Sequence, residues 1–172
     1  QPIEAFSKAL DLIERRIQPK QASEILGRVN QYIRDRIITP ASQQPESKEE
    51  VKRLAEQQAD LNRRLYEVSR RPMGPPPDPG WEEYRKSLES HVSEQENIFR
   101  EMAPLIRQNR EESLQTLTYM IQRVRDALRF PQHLMHLKAE MLDRLGLAYQ
   151  EADKWSQARD AFERAYALNE RL

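Results

Sequence analysis

The stretch LDRLGLAYQEADKWSQARDAFERAYAL, residues 142–168, decides the fold of the C-terminal part of this chain. Its apolar residues recur at helical spacing and predict a pair of helices, over about Gln132 to Gln150 and Trp155 to Arg171. Its last eight residues, AFERAYAL, share the template Ala-Phe-x-(Lys/Arg)-Ala-x-x-Leu with AFSKALDL at residues 5–12. The shared phrase raises the hypothesis of an internal repeat.

The C-terminal stretch resembles a tetratricopeptide repeat (TPR), a helical hairpin with a period of about 34 residues. The matching positions are Leu142, where the family usually has Trp, and Leu145, Gly146, Tyr149, Ala158, Phe162 and Ala165. Trp155 stands where the family often has Tyr, at the entry to the second helix. The family's usual proline after the second helix is absent, with Glu170 near its place. The resemblance covers residues 139–172 and implies a superhelical α-solenoid.

The resemblance also assigns roles to individual side chains. Gly146 and Ala158 would be small where the two helices of the repeat cross, with Tyr149 and Phe162 filling the space between them. In stacked repeats the first helices line a concave groove that holds a peptide or helix of a partner protein. The residues that the resemblance places in this groove are Glu140, Asp143, Arg144, Leu147, Gln150 and Glu151.

The N-terminal phrase leaves two interpretations open. Residues 2–17 are either the second helix of a truncated repeat, whose first helix would lie upstream of Gln1, or an ordinary amphipathic helix. The separation of the two phrases is not a whole multiple of about 34 residues, which argues against the repeat. Since the chain begins with Gln1 rather than Met, we expect a processed or excised piece.

Helical periodicity and prolines predict an all-α chain of six or seven helices in antiparallel hairpins. We expect an N-terminal helical pair at 1–39, a loop at 40–46 and a long hairpin at 47–110 with a Pro-rich connection at 72–79. A helical region at 111–172 follows and contains the TPR unit. Within it, Phe130–Pro131 is expected to end one helix, because proline lacks an amide donor.

The long hairpin carries two heptad-like seams. The first consists of Val51, Leu54, Gln58, Leu61, Leu65 and Val68, and the second of Trp81, Tyr84, Leu88, Val92, Ile98 and Met102. Gln58 and His91 are polar residues at these seams and are expected to fix register. If the two helices pair between chains, the seams predict a homo-oligomer.

Composition excludes several classes of function. Lys+Arg and Asp+Glu both number 28, so the chain lacks the basic excess of a nucleic-acid-binding protein. The absence of cysteine excludes disulfides and thiolate chemistry, and is compatible with the cytoplasm and the periplasm alike. No apolar run approaches the roughly 20 residues of a membrane span, so we expect no membrane insertion.

No motif for a nucleophile, a phosphate-binding loop or a cofactor is present, and we predict no catalytic, cofactor or metal site. His133, His136 and Glu140 share one helix face, but three ligands on one helix without a fourth are a weak metal site. Two hypotheses follow. The chain is a non-enzymatic TPR-like scaffold or adaptor that binds a partner protein, or it is a structural, oligomerising helical domain.

Overall fold

The computed structural model describes all residues from Gln1 to Leu172 and contains no β-strand, so the predicted all-α fold is confirmed. The α-helices are α1 (Pro2–Arg16), α2 (Gln21–Ile33), α3 (Thr39–Ala41), α4 (Lys48–Ser69), α5 (Pro79–Met102), α6 (Arg110–Glu151) and α7 (Trp155–Arg171). A π-helical segment, Arg34–Ile38, joins α2 to α3, and 3-10 turns lie at Pro45–Ser47 and Ala103–Leu105.

The chain divides into two compact units. The terminal unit consists of Gln1–Pro19, Met73–Glu82 and Leu128–Leu172, and the central unit consists of Lys20–Pro72 and Glu83–Ala127. The sequence predicts one N-terminal pair of helices at 1–39, which includes both α1 and α2. In the structure α1 belongs to the terminal unit and α2 to the central unit.

The sequence predicts that a helix ends at Phe130–Pro131. This prediction is wrong, because helix α6 does not end there. It continues through Pro131 as one helix of 42 residues. A proline inside a helix removes one hydrogen bond and destabilises the helix by about 3 kcal/mol. Here Pro131 is buried, and so are Leu134 and Met135 in the next turn. Burial of this apolar turn offsets the loss, and a helix continues where local propensity would end it.

The helical backbone that precedes Pro40 also continues beyond this proline. The backbone stays helical from α2 through Arg34–Ile38 to Ala41, and the N–H of Thr39 donates to the carbonyl of Arg34. That bond spans five residues, as in a π-helix, and such wide turns frequently lie at functional sites. Ile37 within the segment is buried, which fixes the widened turn to the central unit.

Helices α2, α4 and α5 share the core of the central unit, and a buried layer of amides crosses it. The Nε2 of Gln58 lies 2.9 Å from Oε1 of Gln95, and the Nε2 of Gln95 lies 2.7 Å from Oε1 of Gln58. Gln58 also donates to Oδ1 of Asn30 at 3.0 Å. Gln58 is 2% exposed and Gln95 is fully buried, so the Gln95 amide depends on Gln58 for its hydrogen bonds, whereas Gln58 has Asn30 as a further partner.

The predicted seam of α5 runs through apolar and aromatic residues alone and therefore does not include Gln95. Gln58 lies in the seam as predicted, but its partners belong to the same chain. Ion pairs between Arg53 and Glu101 and between Arg64 and Glu94 show that α4 and α5 run antiparallel. The two seams therefore meet within the chain.

The start of α2 is held by a side chain from α5. The hydroxyl of Tyr84 accepts a hydrogen bond from the N–H of Ser23 and donates one to its Oγ, both at 3.0 Å. This N–H has no acceptor within its own helix, because it lies in the first turn. Burial raises the pKa of Tyr84, so the phenol stays protonated.

His91 of α5 is 5% exposed, and its Nε2 has no hydrogen-bond partner within the protein. Burial lowers the pKa of His91 to about 4, an effect that Arg64 reinforces and Glu94 opposes. The imidazole is therefore neutral in the folded protein at pH 7. His91 is thus a buried polar residue of the hairpin, and its expected role in fixing register stays a prediction.

We predict that the amide layer is cooperative. Replacing Gln58→Leu leaves the buried amide of Gln95 unpaired and should lower the free energy of unfolding by about 1–3 kcal/mol. The double change Gln58→Leu with Gln95→Leu should recover part of that loss, because both amides are removed together. Urea denaturation of the two single variants and the double variant measures the coupling. Strictly additive losses would contradict a shared layer.

We predict that His91 makes stability depend on pH. Because its pKa is about 4 in the folded chain and 6.5 in a model peptide, the unfolded chain binds the proton first as pH falls. The stability present above pH 6.5 is lost towards pH 4, at up to about 1.4 kcal/mol per pH unit. His91→Leu should flatten this part of the profile, measured by urea denaturation. His136→Leu, at an exposed histidine, is the control, and an unchanged slope in His91→Leu would refute the prediction.

Candidate interaction surface

Helix α1, the C-terminal half of α6 and α7 share the core of the terminal unit. Its buried residues are Leu10, Leu142, Leu145 and Ala165, and Ile3, Phe6, Met141, Tyr149 and Leu168 pack against them. The phrase AFSKALDL therefore packs on the hairpin that contains AFERAYAL. Its assignment to a truncated repeat stays a prediction.

An ion pair joins α1 to α6 beside this core. Lys138 Nζ lies 2.7 Å from Glu14 Oε1, and the ammonium group lowers the pKa of the Glu14 carboxyl. Lys138 is mostly buried while Glu14 is half exposed, so the pair adds little to stability beyond orienting the two helices.

The two helices of the C-terminal hairpin cross closely at Gly146. A Cβ added to Gly146 would lie 2.6 Å from Cε1 of the Phe162 ring, which is closer than two carbon atoms can approach. Ala158 and Ala165 of α7 are 3% and 0% exposed. The Gly146–Phe162 contact thus leaves no room for a larger side chain at residue 146, and the roles that the resemblance assigns to Ala158 and Ala165 stay a prediction.

The turn between α6 and α7 satisfies the end of α6. Asp153 has a φ of +58°, and its N–H donates to the carbonyl of Gln150 at 3.1 Å. The N–H of Lys154 donates to the carbonyl of Tyr149 at 2.8 Å, which completes a Schellman motif. Trp155 follows as the first residue of α7 and is 61% exposed. Trp155 thus lies at the entry to the second helix of the hairpin, and most of its side chain is open to solvent.

The six residues predicted to face a groove are all exposed, on one side of α6. They are Glu140, Asp143, Arg144, Leu147, Gln150 and Glu151. The opposite side of the same helix is buried through Leu142 and Leu145. The hairpin core thus fixes which side of α6 faces solvent.

The structure adds three residues to this surface, Phe130, His133 and Leu137, all exposed. With four of the predicted residues they form a row spaced alternately by three and four, which we call the outer seam. The outer seam consists of Phe130, His133, Leu137, Glu140, Arg144, Leu147 and Glu151. Phe130, Leu137 and Leu147 are 42%, 41% and 53% exposed. The heptad spacing was the sequence signal that could have identified the added residues.

The charges on this side of α6 are mostly acidic. Glu140 and Arg144 pair within the helix at 2.8 Å, whereas Asp143 and Glu151 form no ion pair. The unpaired carboxylates flank apolar side chains that are themselves open to solvent. This combination is complementary in charge and polarity to a basic, amphipathic helix.

The histidines on this side of the helix do not form a metal site. His133, His136 and Glu140 are exposed, and no three His, Cys, Asp or Glu residues in the chain are grouped so as to hold a metal ion. None of the helices has the length and apolarity needed to cross a membrane.

A separate cleft of about 620 Å³ lies in the central unit beside the π-helical segment. Its lining includes Arg36, Gln44, Arg107 and Asn109. Oε1 of Gln44 is buried without a hydrogen-bond partner, and Asn109 has a φ of +52°. Arg107 is held by Glu46 at 2.8 Å. Because carboxylates and guanidinium groups both line the cleft, its charge selects no single class of ligand.

Comparisons with models of known protein families, with curated proteins and with solved structures find no match for this chain. The resemblance to a TPR therefore depends on the sequence motif at residues 139–172.

We predict opposite effects of alanine at two helical glycines. Gly146→Ala places a methyl group against the Phe162 ring and should destabilise the chain by about 1–3 kcal/mol, although alanine favours helix. At Gly27 in α2 an added Cβ meets nothing within 4 Å, so Gly27→Ala should stabilise by about 0.5–1 kcal/mol. Thermal and urea denaturation measure both changes.

Combining Gly146→Ala with Phe162→Leu tests the contact itself. The double variant should lose less stability than the sum of the two single losses, because the smaller side chain leaves room for the methyl group. Additive losses would show that Phe162 is not what limits the size of residue 146.

Proposed function

We propose that this chain is a non-enzymatic protein–protein interaction module, a TPR-like scaffold or adaptor. In this proposal the outer seam of α6 binds an amphipathic helix or extended peptide of a partner protein. The observation that carries the proposal is the heptad-spaced row of exposed side chains, which leaves Phe130, Leu137 and Leu147 in solvent. Apolar side chains at this heptad spacing can anchor an amphipathic helix that packs along the row.

The spacing of the outer seam indicates what the partner looks like. Leu137 and Leu147 are separated by about 15 Å along the helix axis, with the Glu140–Arg144 pair between them. A partner helix that packs along the seam would place one apolar residue against each leucine and a polar segment against the ion pair. Basic residues beside these positions would meet Asp143 and Glu151.

The hairpin packing supports a binding role for this surface. The buried side of α6 is fixed by the crossing at Gly146 and by α1, so the exposed side is held rigid before a partner arrives. A preformed surface loses little conformational entropy on binding. A TPR-like solenoid would extend the same surface through stacked neighbours, as the resemblance implies.

The second candidate function is that of a structural, oligomerising domain through the seams of α4 and α5. Leu54, Leu61 and Leu88 of those seams are at most 1% exposed within the single chain. Gln58, expected to set register between chains, pairs with Gln95 of its own chain. Pairing between chains would need this hairpin to open and exchange, so burial favours the interaction module.

The proposal predicts binding of a designed peptide. The probe is a fluorescent helical peptide with leucine at heptad a and d positions and lysine at the flanking positions, compared with a peptide that has glutamate there. The lysine peptide should bind more tightly at low salt, because it meets Asp143 and Glu151. Fluorescence anisotropy with the full chain measures the two affinities.

Variants locate the binding surface. Leu137→Asp with Leu147→Asp should weaken binding of the lysine peptide by at least about tenfold, or 1.4 kcal/mol. Tyr166→Asp on α7 is the matched control, since Tyr166 is 66% exposed and lies outside the seam. Asp143→Lys should also weaken binding, while the circular-dichroism melt stays unchanged. Undiminished binding to the double leucine variant would refute the proposed surface.

A further inference from the structure

The outer seam is arranged symmetrically about one residue. Leu137 and Leu147 are equidistant from Leu142 along the chain, and so are Glu140 and Arg144. The same holds for the pair His133 and Glu151 at the ends of this part of the seam. Leu137 is matched with Leu147 and the basic Arg144 with the acidic Glu140, while the imidazole of His133 can donate a hydrogen bond to the carboxylate of Glu151. The side chains of all three pairs are exposed, whereas Leu142 itself lies on the buried side of the helix.

This symmetry has a consequence for an antiparallel pair of helices. If a second copy of α6 packs on the first with a twofold axis beside Leu142, Leu137 meets Leu147 of the second copy and Glu140 meets its Arg144. In heptad notation Leu137 and Arg144 occupy a positions, and Glu140 and Leu147 occupy d positions. Antiparallel coiled coils pair a with d, so both contacts are in register.

We propose that the occupant of the outer seam is a second copy of this chain, bound as a symmetric antiparallel dimer. The inference rests on the proposed function, since it names the partner of the same surface. Charge complementarity carries it. Glu140 and Arg144 already pair within one helix at 2.8 Å, and two copies would join them into a four-residue network. An isologous contact of this kind closes at two chains.

One residue opposes the dimer and limits its strength. Asp143 precedes Arg144 on the exposed side of α6 and forms no ion pair, so the axis brings the Asp143 carboxylates of the two copies near each other. With only two leucines per chain in the symmetric part, the dimer should be weak and depend on concentration. Asp143→Asn should strengthen it, whereas Asp143→Lys should weaken binding of a lysine-rich peptide.

The first experiment measures the mass of the full chain by sedimentation equilibrium over a range of concentrations. The unmodified chain should show a reversible monomer–dimer equilibrium. Arg144→Glu and Glu140→Arg each place like charges opposite one another and should each weaken the dimer by at least about tenfold. A 1:1 mixture of these two variants should restore a dimer, because every acidic residue then meets a basic one. Circular dichroism checks that both variants fold.

The second experiment tests the antiparallel register with engineered disulfides, since the chain has no cysteine of its own. Leu137→Cys mixed with Leu147→Cys should cross-link on oxidation, and Leu137→Cys alone should not. In a parallel dimer the single variant would cross-link with itself. That result would overturn the antiparallel arrangement.

Other outcomes separate this inference from the proposed function. If the chain stays monomeric at every concentration but binds the lysine peptide, the dimer proposal fails and the interaction module stands. A dimer that is indifferent to Arg144→Glu and Glu140→Arg uses another surface and also overturns the inference. If the chain neither dimerises nor binds the peptide, both proposals fail.

Discussion

The close crossing of α6 and α7 at Gly146 is the constraint on which the proposed surface depends. The ring of Phe162 occupies the space where any other residue would carry its Cβ. Helices in such close contact bury Leu142 and Leu145 on one side of α6, and α1 closes the same core through Leu10. Since that side is occupied, the residues on the opposite side of the helix are directed to solvent. The crossing therefore positions Leu137 and Leu147 without contacting either one.

In the central unit, buried hydrogen bonds rather than a close helix crossing fix the register of the packed helices. A purely apolar seam between α2, α4 and α5 could shift by one turn and still bury its leucines. The reciprocal amide bonds of Gln58 and Gln95 exist in only one register, because a shift would break both bonds and leave the buried Gln95 amide unpaired. Buried amides thus add specificity to a seam whose stability comes from apolar burial.

The sequence was sufficient to predict that the chain is helical, because helices follow from local periodicity, whereas the small residues at the crossing were expected only from the resemblance to a repeat. It was insufficient at Pro131, where burial of the following turn outweighs the missing hydrogen bond. It also missed Gln95, since polar residues inside a seam look like surface residues until their partners are known. The sequence also did not identify Leu137 as part of a surface. Whether an isolated leucine in a helix faces solvent cannot be decided until the buried side of that helix is known.

The outer seam could serve two kinds of partner, and Asp143 distinguishes them. The pairs Leu137 with Leu147 and Glu140 with Arg144 complement a second copy, whereas the unpaired carboxylate of Asp143 repels one. A basic helix would meet the same carboxylate favourably. If a second copy held the seam strongly, a partner protein would have to displace it. The repulsion keeps self-association weak, so a basic helix can compete for the same residues.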